Sequence, residues 1–213
     1  MPPDGVLVGG PGSAQRIASA DRRFVVARSG FRRDQAGARS ALRDPDAAVR
    51  AAALAALVRM GAATPRDADR AVADDDPRVR IMACELASAL SGTDFSRLLS
   101  DPDDAVVEAA AFALGELGDV RAVAALSAVA RTHQDPLCRE SAVAALGAIG
   151  DEAGKPAVLS ALDDLPAIRR RAVIALAPFE GEEVEEALRA RLADRDWQVR
   201  QAAEDLLGAP DAE

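Results

Sequence analysis

Tyrosine is absent from this 213-residue chain, tryptophan and histidine occur once each, cysteine twice, and aromatics make up 3%. So few aromatics argue against sandwiches and barrels, whose strands favour aromatic and β-branched residues. A single histidine, His133, excludes a metal site built on histidine pairs and any two-histidine catalytic arrangement. Cys84 and Cys138 are too few for a disulfide framework or a four-thiolate zinc site, and they fit a reducing, cytoplasmic setting. Long apolar runs are also missing. The longest alanine, valine and leucine stretch, Ala122 to Ala130 with one serine, is far short of a bilayer span, so no membrane association is expected. No N-terminal stretch has the features of a cleaved leader. The segment from Gly5 to Ser13 lacks the Gly-Lys-Ser/Thr ending of a phosphate-binding loop, and Pro11 breaks the dinucleotide spacing.

What is present is alanine. Hydrophobic residues are 49% of the chain, and 50 of the residues are alanine. Alanine, leucine and arginine all favour helix, so the expected class is all-α. A chain of this length buries roughly 70% of its unfolded surface, enough for a core without metals or disulfides. The net charge of -9 is unevenly spread: residues 1–43 carry eight arginines against three aspartates, whereas the rest carries 18 basic and 32 acidic side chains. An acidic body lacks the basic footprint that phosphate binding requires, so nucleic acid is not the expected partner. It favours a basic protein partner instead.

Internal repetition organises the sequence. Anchors at Val49, Val79, Val106, Cys138, Ile168 and Val199 are spaced by 30, 27, 32, 30 and 31 residues. Five positions before them stand Asp44, Asp74, Asp101, His133, Asp163 and Asp194. One position after come Arg50, Arg80, Val107, Arg139, Arg169 and Arg200, and four after, every copy has alanine. Leucine or alanine follows at offset 8, and Met60, Leu90, Leu117, Ile149 and Phe179 at offset 11. Offsets 0, 4, 7, 8 and 11 form one face of a helix with a period of 3.6 residues, so each anchor opens an amphipathic helix. Asp44-Pro45 and Asp101-Pro102 are turn and cap signals before it, and Gly61, Gly118 and Gly150 stop signals after it. The alanine at offset 4 is expected to let a neighbouring backbone approach closely.

A shorter apolar segment precedes most of the next anchors, for example Val123, Leu126 and Val129, or Val184, Leu188 and Leu192. The 27-residue spacing leaves little room for one near Thr93 to Ser100. Each unit is thus a helical hairpin of about 30 residues, and hairpins of this kind stack because one alone cannot bury its apolar face. The expected architecture is a right-handed α-solenoid of about six such hairpins. Residues 1–13 are expected to form a flexible tail and 14–213 a single repeat domain. In that domain, 14–43 is a degenerate N-terminal cap offering Phe24, Val25 and Phe31, and 44–210 the repeats.

The motif Asp-Pro-Asp-x-x-Val-Arg-x-x-Ala-x-x-x-Leu, from Asp44 to Leu57, resembles the HEAT-like repeat of the phycobilisome-lyase type. The resemblance covers roughly residues 34–210, and it departs from the motif at Val107 and His133. It implies a solenoid without implying one function. The namesake implies a lyase or chaperone-like factor for a chromophore-carrying protein, but no lyase signature is found on which to carry that role across. HEAT-like deoxyhypusine hydroxylases bind iron through His-Glu pairs, whereas His133 is followed by Gln134. HEAT-like DNA glycosylases use a basic groove, which this acidic body does not offer.

No catalytic, cofactor-binding or metal-binding residues are assigned from the sequence. The recurrent aspartates and arginines read as a ladder between adjacent units, and His133 as a substituted rung. Cys84 and Cys138 read as small core residues. Glu182, Glu183 and Glu186, in the densest acidic cluster, are the candidate contact for a basic protein. The resemblance implies a concave surface lined by second helices, and the helix bearing these glutamates would be one. A non-catalytic protein-binding scaffold, monomeric, is the expected function.

Overall fold

The computed structural model describes residues 21–26 and 34–208. The tail of residues 1–13 and Phe31 lie outside them. Among the described residues all regular structure is helical, and the chain divides after Thr93 into two compact units.

In the first unit, residues 21–26 are helical and are followed by α1 (Gln35–Ala41), α2 (Ala47–Arg59), α3 (Pro65–Val72) and α4 (Pro77–Glu85). Helix α2 packs against α1, α3 and α4. Val26 is buried here, whereas Phe24 and Val25 are each 62% exposed. The apolar face of the cap therefore runs through Val26, not through the pair the sequence suggested.

The second unit opens with a short 3-10 helix, Ser96–Ser100, in the place where the spacing left little room. It continues with α5 (Asp104–Leu117), α6 (Val123–Thr132), α7 (Pro136–Ile149), α8 (Lys155–Ser160), α9 (Pro166–Ala175), α10 (Glu182–Arg191) and α11 (Trp197–Leu207). The anchor helices pack in series, α5 on α7, α7 on α9 and α9 on α11. Helices α6 and α10 complete hairpins with α7 and α11.

The helix starts and stops follow from local chemistry. The capping carboxylate is three residues before the anchor, and Asp46, Asp76, Asp103, Asp135 and Asp196 each accept a backbone N–H two residues on. The aspartate five before the anchor shapes the turn leading to that cap. Asp44, Asp74, Asp101 and Asp194 accept the cap residue's N–H at 2.8–3.0 Å. At the other end Gly118 and Gly150 adopt φ of 60° and 67°, a left-handed turn that a side chain resists.

The core matches the period closely. All six anchors are buried, and the six alanines at offset 4 are fully enclosed. Offset 5 is a further core row, with Leu54, Cys84, Ala111, Val143 and Val173 all buried. Offset 11 is less regular: Leu90 and Phe179 are buried, but Leu117 is 40% exposed. Leu117 and Ile149 are the last residues of α5 and α7, whereas Leu90 and Phe179 lie beyond the ends of α4 and α9.

Candidate interaction surface

The ladder of charge is present within each unit, and it is a double clamp. Arg50 donates through Nη2 and Nε to both carboxylate oxygens of Asp74, at 2.6 and 2.8 Å. Its Nη1 donates to the carbonyls of Asp44 and Pro45. Arg169 does the same with Asp194, at 2.7 and 2.9 Å, and with the Asp164 carbonyl. Arg139 holds Asp164 at 2.7 and 2.8 Å and the carbonyls of His133 and Gln134. Each arginine thus fixes its own turn and the next one, a two-sided task suited to a planar fork. Arg22 supplies the first rung, donating to Asp44 at 3.0 and 3.3 Å.

One rung differs from the sequence expectation. The carboxylate that meets Arg139 is Asp164, and Asp163 is exposed beside Arg191. The loop before α9 is one residue shorter and starts the helix on Leu165-Pro166 without a capping carboxylate. That shift moves the rung by one position. The pairing has electrostatic consequences. The hydrogen bonds from Arg139 and Arg169 hold Asp164 and Asp194 below the usual carboxylate range. At Asp74 burial pushes upward, but the Arg50 bond and the Asp76 N–H outweigh it and the group is lowered.

His133 is a substituted rung. Its Nδ1 accepts the Asp135 N–H at 3.2 Å, the bond that aspartate accepts in the other turns. Asp104, His133 and Cys138 bring potential ligand atoms within 4.8 Å of one another. Two of these atoms are already engaged. With Nδ1 accepting, the imidazole proton stands on Nε2, the atom 3.9 Å from Asp104. Burial, with Asp135 and Asp104 nearby, pushes the Cys138 thiol up to about 11, and Sγ lies 3.2 Å from the Asp104 carbonyl. Coordination would cost both bonds. Cys84 is likewise buried.

Glu182, Glu183 and Glu186 all lie on α10 and are exposed, with Glu183 3.5 Å from Lys155 Nζ. Sequence reasoning did not locate the grooves between anchor helices. One, of about 320 Å³, runs between α5 and α7, with exposed Phe112 and Leu137 as walls and Glu108, Glu116 and Glu140 at the rim. Another, of about 420 Å³, runs between α9 and α11 and is lined by Ile174 and Trp197. The available signal was offset 6, which is half-buried at Ala55 and Ala144 and exposed at Glu85, Phe112, Ile174 and Asp205. No helix among the described residues is long and apolar enough to cross a membrane.

Residues 69–147 and 95–166 match the family model described as HEAT repeats. No curated protein shows significant similarity to the chain. Among solved structures, an engineered protein is similar at 20% identity and a TM-score of 0.58, over 82% of this chain and 97% of that one. A designed armadillo repeat protein in complex with the peptide (KR)4 is similar at 14% identity and a TM-score of 0.51, over 93% of this chain and 94% of that one. At such identities the likeness is one of fold. The chain is an all-α helical-repeat protein whose fold is similar to that of designed armadillo repeat proteins, and its residues 69–166 match HEAT repeats.

Proposed function

We propose that this protein is a non-catalytic, cytoplasmic scaffold, monomeric in solution, that binds a basic protein segment on its repeat surface. The carrying observation is a contrast between inside and outside. Offsets 0 and 4 and the arginine clamp are spent on stacking, whereas offset 6, never fully buried, varies between alanine, acidic and large apolar residues. A constant interior with a varied exterior is what a recognition surface built from repeats requires. The excess of acid in the body supports a basic partner. The designed armadillo repeat protein of similar fold was solved with a lysine–arginine peptide, which supports the same class. The Asp-Pro-Asp-x-x-Val-Arg motif supports assigning the repeats to the phycobilisome-lyase kind of HEAT-like repeat, without its chemistry.

Glu182, Glu183 and Glu186 are the proposed contact for basic side chains. The test is fluorescence anisotropy with a labelled (Lys-Arg)4 peptide at low and high salt. Binding should weaken as salt rises, because the Debye length contracts from about 10 Å at 0.1 M to about 3 Å at 1 M. Reversal of the three glutamates to lysine should abolish binding while leaving the melting temperature nearly unchanged. Retention of full affinity by the triple variant would show that α10 is only a solvated face.

A further inference from the structure

The groove between α5 and α7 combines an apolar floor with a predominantly acidic rim, three glutamates against the single Arg171. Phe112 is 66% exposed and Leu137 57% exposed, although both are large apolar side chains. Between them the floor is made of small residues, among them Ala144. Glu108 and Glu116 stand four residues either side of Phe112 on the same helix. All three therefore share one stripe. Neither carboxylate has an ion-pair partner among the described residues, whereas Glu140 across the groove is met by Arg171 at 3.5 Å.

We propose that this groove docks a short partner segment in which one apolar side chain is flanked on both sides by arginine or lysine. The inference rests on the protein-binding reading above and adds a site to it. The apolar side chain seats against Phe112 and Leu137 over the small-residue floor. The flanking cations meet Glu108 and Glu116, which have no internal partner to surrender. Spacing follows from geometry. Eight residues of helix separate the two glutamates, about 12 Å along the axis. An extended peptide covers that distance in about four residues, so the cations belong two positions before and two after the apolar anchor.

The test uses a fluorescein-labelled peptide, Gly-Arg-Ser-Leu-Ser-Arg-Gly, and the full chain, with anisotropy as readout. Binding should fall about tenfold or more with Phe112→Ala, with the double reversal Glu108→Lys and Glu116→Lys, and with alanine in place of the peptide's leucine. A charge-matched control, Asp75→Lys with Glu85→Lys in the first unit, should leave binding unchanged. Phe112 is exposed, so its variant is expected to fold, and circular dichroism checks this. Absence of binding, or binding indifferent to both Phe112→Ala and the double reversal, overturns the proposal. If (Lys-Arg)4 still binds through the α10 glutamates in that case, the groove assignment fails while the basic-partner scaffold stands. If neither peptide binds, both fall.

Discussion

Gly147 illustrates how much a single missing methyl decides. It sits inside α7, where alanine would favour helix by about 1 kcal/mol. Yet a Cβ there would stand 2.6 Å from the Cα of Ala175 on α9. Gly115 meets Ala145 in the same way at 2.9 Å. These two glycines, at offset 9, are a second place where anchor backbones approach closely, beside the alanine expected to do so at offset 4. Gly147→Ala should therefore destabilise by about 1–3 kcal/mol, as overpacking does, despite the better propensity. A melting temperature equal to or above the parent's would show that α7 and α9 can separate at no cost. The offset-4 alanines are enclosed all the same, and Ala110→Leu should cost a similar amount. His133→Ala removes one acceptor from a turn and should cost about 1 kcal/mol or less, so it should melt well above the Ala110 variant.

At the scale of the element, the arginine clamp is what gives a turn its stiffness. The Arg169 and Asp194 side chains are 10% and 6% exposed, so removing one partner strands the other away from water. Arg169→Ala should cost about 3 kcal/mol, in the range for breaking a buried pair. Lysine should rescue little, because it cannot grip both carboxylate oxygens and a carbonyl at once. The same pairs make stability depend on pH. Asp74, Asp164 and Asp194 have folded pKa values below their unfolded ones. Their contribution is then complete above an unfolded value of about 4 and is lost as pH falls through the lower folded values. Urea unfolding between pH 7 and pH 3 should show a falling midpoint below about pH 4. The double variant Arg139→Met with Arg169→Met should have a flatter profile, and a profile parallel to the parent's would contradict the assignment. The clamp itself was legible, since aspartate and arginine recur with the period. Its rung at Asp164 was not, because that depends on a loop one residue shorter than the others.

For the molecule as a whole, charge sets the expectations. A body with 32 acidic against 18 basic side chains and a basic first 43 residues could associate head to tail, and such a contact would not close by two-fold symmetry. Sedimentation velocity over a range of salt and concentration should give a monomer throughout. Growth of larger species at low salt would replace the monomer with that open assembly.

Much of this protein was determined by sequence alone. The period of about 30 residues, the inward offsets 0, 4 and 8, the turn aspartates and the glycine stops are all local instructions, readable because helix geometry and capping act within a few residues. The tertiary structure decided what depends on two elements meeting. It placed close helix contacts on Gly115 and Gly147, the rung of Arg139 on Asp164, and Phe112 and Leu137 on either side of one groove. None of these follows from periodicity, because each depends on the distance and angle between neighbouring helices. Those are set by loop length and by the summed packing of many side chains, not by any one segment.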